Sequence, residues 1–175
     1  TDGDSQLAIP ESLSNTIIKD RGYIIEASDV IYVSVRFRSS LPNQYQAGAL
    51  VSKGLSALGT EFRVGGMATE NNNAPNGFLT YTSVMATEDD TNITFEDFPT
   101  GITVINHAGS TPINVNLSEG QSYMIAVASN YGGTPNDLIG SLVSSDKPIV
   151  VNSGSGTGSF ADGNGGRDFG IDQIV

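Results

Sequence analysis

Apolar and polar residues alternate along much of this chain, a pattern typical of β-strands with one buried and one solvated face. The stretch VIYVSVRFR (30–38) shows it most clearly, with an apolar row made of Ile31, Val33, Val35 and Phe37. The shorter stretch INVNL (113–117) repeats the alternation. Both stretches therefore predict strands that contact a core with one face.

Two further stretches are apolar almost without interruption. QSYMIAVA (121–128) and KPIVV (147–151) predict strands that are buried on both faces. The clusters SEGQ (118–121) and EDDTN (88–92) lie between apolar runs and predict hairpin turns, because Asp, Asn and Gly tolerate left-handed backbone. A helical pattern is limited to AGALVSKGLSAL (47–58), where two glycines interrupt the spacing. It predicts the end of a strand followed by a single helical turn.

Many short strands separated by clusters of Gly, Asn, Asp and Ser indicate an all-β fold. We predict an antiparallel β-sandwich with short strands and long loops rich in Gly and Asn. A propeller-like repeat of small sheets is the alternative, because it also gives short strands at regular spacing.

Composition narrows the possible partners. The chain has 175 residues, no cysteine and a formal net charge of −11, so thiolate metal sites and disulfides are excluded. Nucleic-acid binding needs clustered Lys and Arg, and the bases here are scattered. No apolar stretch approaches the roughly 20 residues of a membrane helix, so we expect no membrane insertion.

The chain also contains an internal echo. Residues 20–35 resemble residues 119–130 followed by residues 144–153, with a Ser-Asp pair before a valine-rich strand in each case. We therefore predict that residues 1–45 are the final strands of a preceding unit and that residues 46–175 are the main β module. The apolar ending FGIDQIV suggests that the sequence is a piece of a longer chain of several modules. The other modules of that chain would then be its partners.

A glycine-rich segment, residues 151–172, follows the KPIVV run. It lacks the G-x-G-x-x-G fingerprint, a Walker lysine and a following helix, so it does not predict a phosphate cradle. We interpret it as a long solvated connection between strands. Its oxygen ligands give a first calcium candidate, made of Asp162, Asn164 and Asp168.

The acidic turn at residues 88–92 gives a second calcium candidate, Asp89 and Asp90. No other cofactor is predicted. His107 is the only histidine, and it lies near no nucleophile motif, so we predict no catalytic residues.

Loops on a rigid sandwich are common contact surfaces. The asparagine-rich stretch ENNNAPNG (70–77) and a tyrosine in a glycine-rich stretch are the candidates for ligand contact. The residues in question are Asn72, Asn73 and Tyr131.

Several phrases together resemble the IgGFc-binding protein N-terminal domain family. They are KGLSALGTEF (53–62), MATEDDTNITF (85–95), LSEGQSYMIA (117–126), DLIGSLVSSDKPIVVNSG (137–154) and GIDQIV (170–175). The resemblance begins near Tyr23 and implies an extracellular, repeated, noncatalytic β module used in surface recognition. Animal members carry cysteines that this chain lacks, so the resemblance points to a bacterial member, similar to adhesins of gliding bacteria.

The leading hypothesis is thus a noncatalytic extracellular module of a large bacterial surface protein that binds protein or glycan. One alternative is a structural spacer stabilised by calcium. A second alternative is a fragment of a secreted glycan hydrolase, which would need two carboxylates across a cleft.

Overall fold

The computed structural model describes residues 9–38, 47–66, 79–128, 138–158 and 168–175. Short 3₁₀ turns lie at Glu11–Leu13 and Gly54–Ala57, and the remaining regular structure of these residues is strand. The strands are β1 (Ile17–Ile18), β2 (Ser34–Arg38), β3 (Ala47–Val51), β4 (Gly59–Arg63), β5 (Leu79–Ala86), β6 (Thr91–Glu96), β7 (Ile113–Leu117), β8 (Ser122–Ala128), β9 (Leu142–Gly158) and β10 (Asp168–Gln173).

One large antiparallel sheet has the order β1-β8-β5-β9-β6-β7, and β4 and β10 also pair with β9. A separate hairpin pairs β2 with β3. The prediction of an all-β antiparallel sandwich is therefore confirmed, with the sheet curled nearly into a barrel.

The long strand β9 belongs to both layers of the sandwich. Its early residue Ser144 pairs with Glu61 of β4 on one edge and with Thr94 of β6 on the other. Its later residue Ser153 pairs with Thr82 of β5 and Asp172 of β10. We call β4, β6, β7 and residues 142–148 the first half-sheet. The second half-sheet is β1, β5, β8, β10 and residues 149–158.

The two half-sheets meet at a corner around residues 146–148 of β9, where the ladder with β4 shifts register and the ladders with β6 and β5 end at Ser145 and Ile149. Pro148 lies in this corner, where its missing N–H costs no ladder bond. Two side chains replace the interrupted ladder. The hydroxyl of Thr87 donates to the Pro148 carbonyl at 2.6 Å, and the N–H of Asn92 donates to Asp146 Oδ1 at 2.8 Å.

The turns at 87–90 and 118–121 line the same corner, which corrects one sequence prediction. Each turn forms where expected, but β5 does not pair with β6 and β7 does not pair with β8. The turns therefore carry the chain from one half-sheet to the other instead of closing hairpins. They also bond to each other, because the N–H of Glu119 donates to Asp89 Oδ1 at 3.1 Å.

Apolar side chains from both half-sheets fill the space between them. Phe95 of β6 and Tyr123 of β8 have ring centroids 5.9 Å apart, so their contact crosses from the first half-sheet to the second. The predicted inward residues Ile113 and Leu117 are buried, and β8 is buried on both faces, as the sequence indicated.

Two predicted elements differ from the observed ones. Of the stretch 30–38, only residues 34–38 form a strand, and Ile31 is 53 % exposed. The glycine-rich segment was expected to be a loop, yet residues 151–158 continue β9 and residues 168–172 lie in β10. Gly154 permits this pairing, because a Cβ there would collide with the Tyr81 ring and the Gly170 carbonyl.

The amino-terminal residues attach to the edge of the second half-sheet. β1 pairs with β8, and the Tyr123 hydroxyl donates to Asn15 Oδ1 at 2.5 Å. The predicted unit boundary at residue 45 stays a prediction; β1 and β2 both pair with strands that follow it.

We expect Phe95→Ala to lower the free energy of unfolding by about 3–5 kcal/mol, because it removes the ring that joins the half-sheets and leaves a cavity. Urea denaturation measures this difference. Phe98→Ala is the matched control, since Phe98 is only partly buried against the core. An equal loss in both variants would contradict the role given to Phe95.

Asp146 provides a pH-dependent test of the corner. Hydrogen bonds from the Asn92 side chain, at 2.7 Å, and from the Asn92 N–H lower the pKa of Asp146. A lowered pKa in the folded state means that this stabilisation is present above the unfolded pKa of about 3.9 and is lost as pH falls through the folded value.

We therefore expect Asp146→Asn to melt at a lower temperature than the wild type at pH 7, and the difference to shrink at pH 3. Thermal unfolding followed by circular dichroism gives both values. Glu61→Gln is the control, because Glu61 is exposed and its substitution removes one negative charge, as Asp146→Asn does. A difference in melting temperature that stays constant between the two pH values would refute the stabilising role of the Asp146 carboxylate.

Candidate functional site

The calcium candidates at the acidic turn are both exposed, and one of them bonds to the neighbouring turn. Asp89 Oδ1 accepts the Glu119 N–H, and the Lys147 ammonium donates to the Asp89 carbonyl oxygen. Asp90 is exposed and has left-handed backbone, with φ of 54°. Within the described ranges, no three acidic or histidine side chains are grouped so that they could hold a metal ion. The geometry thus assigns Asp89 to bonding between turns, and calcium binding there stays a prediction.

The structure describes only part of the calcium candidate in the glycine-rich segment. Asp162 and Asn164 lie outside the described residues. Asp168 is exposed at the start of β10, where its Oδ1 accepts the N–H of Ala47 at 3.3 Å. It pairs with Gly158, at the opposite end of β9 from Asp146. Asp168 therefore joins β10 to β3 and does not converge with the acids of the corner.

The ligand-contact candidates Asn72, Asn73 and Tyr131 also lie outside the described residues. The strands that flank them are described. Leu79, the first residue of β5, pairs with Ala128, the last residue of β8. The stretches 67–78 and 129–137 are thus attached to neighbouring strands at one end of the second half-sheet. We call this end, marked by Leu79, Ala128, Gly158 and Asp168, the distal end.

Aromatic side chains connect the β2–β3 hairpin to the outer face of the second half-sheet. Phe37 and Phe169 have ring centroids 5.4 Å apart, and Tyr81 and Phe169 have centroids 6.4 Å apart. Burial raises the pKa of Tyr81 to about 12. Its phenol therefore stays neutral at physiological pH and acts as part of the scaffold.

The inner face changes character toward the distal end, a feature that sequence reasoning missed. Thr82 pairs with Ser153 and Thr80 pairs with Ser155, and all four residues are buried. The Ser153 hydroxyl donates to the Gly65 carbonyl. Hydroxyls therefore replace aliphatic groups at these positions of β5 and β9, whereas their β8 neighbours Ile125 and Val127 stay in the apolar core. The period-two spacing of the two threonines was the available signal.

His107 has structural partners. Its Nδ1 lies 3.4 Å from the Asn15 amide nitrogen, and its Nε2 lies 3.3 Å from the Ser110 carbonyl oxygen. Asn15 also donates to the Asn106 carbonyl at 2.9 Å and accepts from Tyr123, a residue whose pKa is raised by burial. The imidazole ring of His107 therefore contributes to the attachment of the amino-terminal segment to β8.

The outer face of the first half-sheet is polar and internally paired. The Asn116 amide donates to Asn92 Oδ1 at 3.0 Å, and the Thr94 hydroxyl donates to Asn114 Oδ1 at 2.8 Å. These cross-strand bonds connect the polar side chains of this face to each other. The face belongs to the first half-sheet, whereas the distal end belongs to the second, so it offers positions for control substitutions.

In the part of the chain that the structure describes, no helix is long and apolar enough to cross a membrane. No match was found among curated proteins or among solved structures. The model of the family described as IgGFc binding protein matches residues 48–175, which is more than half of the chain. The predicted resemblance is thus confirmed, and the chain belongs to the IgGFc binding protein family.

Proposed function

We propose that this chain is a noncatalytic extracellular module of a bacterial surface protein, and that it recognises a protein or glycan through loops at its distal end. Family membership supports the general part of the proposal. The family consists of binding domains without enzymatic activity that are typically extracellular, so the chain is a binding or recognition module of that type.

The observation that carries the finer proposal is the pairing of Leu79 with Ala128. The stretch that leads into Leu79 contains Asn72 and Asn73, and the stretch that follows Ala128 contains Tyr131, so both stretches connect to neighbouring strand ends. Loops that meet at one end of a rigid sandwich are the arrangement by which immunoglobulin-like domains form binding sites.

The residue types fit such a role. Asparagine supplies adaptable hydrogen bonds, and tyrosine supplies a large contact area at low entropic cost. The net charge of −11 favours a neutral or cationic ligand surface over a polyanion. We propose that adhesion follows from repeated weak contacts, because modules in one long chain gain avidity from linkage.

The first test measures binding of the chain to a glycan array and, by surface plasmon resonance, to the Fc fragment of immunoglobulin G. We expect a ligand whose dissociation constant rises at least about tenfold in the variant Asn72→Ala/Asn73→Ala/Tyr131→Ala, since truncated contact residues at a binding centre commonly cost more than 1 kcal/mol.

The matched control is Asn114→Ala/Asn116→Ala, which removes two exposed amides from β7 on the first half-sheet. The control should bind as the wild type does. Loss of binding in the control with retention in the triple variant would move the site to the outer face. The absence of any ligand on both platforms would refute the recognition role as stated.

A chelator experiment separates recognition from the calcium-spacer alternative. We expect no change in melting temperature between excess calcium and excess chelator, because Asp89 and Asp168 already accept main-chain N–H groups. A site filled at a hundredfold excess over its dissociation constant would add about 2.7 kcal/mol, or roughly 5–10 °C for a domain of this size. A shift of that size would favour the calcium spacer instead.

A further inference from the structure

An exposed apolar segment precedes the β2–β3 hairpin. Tyr23, Ile24 and Ile25 are 55–70 % exposed, Val30 is 96 % exposed and Tyr32 is 74 % exposed. Residues 23–32 form no strand and make no main-chain hydrogen bond to another segment of the described structure. We call residues 23–38 the edge segment. Large apolar side chains grouped in this way on a soluble protein mark an interaction surface.

A stretch of similar sequence elsewhere in the chain shows how the pattern behaves when it is paired. Residues 144–153 and residues 28–35 each contain a Ser-Asp pair that is followed by a valine-rich run. In β9 that run has neighbours on both edges, and Ile149 and Val151 are buried. In the edge segment, Val30 and Ile31 remain in solvent. The difference is that no described strand pairs with residues 30 and 31.

The free edge of β2 has a defined set of main-chain groups. The Val33 carbonyl accepts the Ser52 N–H at 3.0 Å, so Val33, Val35 and Phe37 direct their hydrogen bonds toward β3. The alternate residues Ser34 and Arg36 therefore direct their N–H and C=O groups away from β3. Among the described strands, β2 pairs only with β3. An extended chain can thus add to this edge by main-chain hydrogen bonds.

Charge selects the partner. The early part of the edge segment carries Glu26 and Asp29, and its end carries Arg36 and Arg38. All four side chains are exposed, and none forms an ion pair with another described residue. In an antiparallel pair of identical segments, the acidic part of each copy lies beside the basic end of the other. A parallel pair would instead place like charges opposite each other, which is destabilising.

We propose that the edge segments of two copies of this chain pair antiparallel across a two-fold axis and form a homodimer. The free main-chain groups lie on even-numbered residues, so the register pairs even residues with even residues. With Tyr32 opposite its own copy, Val30 lies opposite Ser34 and Glu26 lies opposite Arg38. Every contact away from the axis occurs twice, as a two-fold interface requires, and the contact between the two Tyr32 residues lies on the axis. This self-association is independent of ligand recognition at the distal end.

The test compares two charge variants by sedimentation velocity over a range of concentrations. Arg36→Glu/Arg38→Glu makes the edge segment wholly acidic, and Glu26→Arg/Asp29→Arg makes it wholly basic. We expect the wild type to show a monomer–dimer equilibrium and each variant alone to dissociate at least about tenfold more readily. An equimolar mixture of the two variants should restore a dimer, which also demonstrates that both variants are folded.

The matched control is Glu61→Arg/Glu88→Arg, which changes net charge as the second variant does but lies outside the edge segment; it should dimerise like the wild type. Amide exchange locates the interface, because the N–H groups of Ser34 and Arg36 should exchange more slowly as concentration rises. A wild type that is monomeric at every concentration would overturn the proposal and leave the edge to a different partner. Unchanged dimers in both charge variants, or a mixture that stays monomeric, would overturn it as well.

Discussion

The fold depends on one bend in one strand. β9 spans 17 residues and contributes to both layers of the sandwich, so its bend sets the angle at which the layers meet. Strands change layers at bulges or bends, and a local interruption of the ladder allows the strand to bend. Here Pro148 cannot donate to a ladder, and the carboxylate of Asp146 receives both donors of Asn92 in place of a main-chain partner.

This constraint separates the polar residues into different roles. The acids closest to the bend, Asp89 and Asp146, accept hydrogen bonds from the backbone of neighbouring segments, so their charge is used to close the corner. The far end of the second half-sheet has a different character. There β5 and β9 contribute buried hydroxyls at Thr82 and Ser153 beside the aliphatic residues of β8, and three strand connections begin or end. The proposal that this end presents the contact surface therefore places that surface away from the hydrogen-bonded corner.

The β2–β3 hairpin adds a second kind of surface. Phe37 packs on Phe169, which fixes the hairpin to β10, and Lys53 forms an ion pair with Asp172 at 3.2 Å. The hairpin is therefore held on one side, while no described strand other than β3 pairs with β2. The proposed recognition at the distal end and the proposed association along this edge involve separate residues, so the two proposals do not conflict.

The sequence by itself determined the class of fold, most strand positions and the family. Period-two alternation identified β7, unbroken apolar runs identified β8 and the middle of β9, and the Asp-Asn-Gly clusters marked both turns, because these signals depend on local backbone preference and on which face is buried. Only the tertiary structure decided which strands are neighbours. The turns at 87–90 and 118–121 look like hairpin turns, but each spans a corner because β9 lies between their strands. Likewise, residues 151–158 read as a loop from their glycines, yet form a strand because Gly154 lets Tyr81 and β10 approach closely. Such close approaches join residues far apart in sequence, and for that reason no local pattern records them.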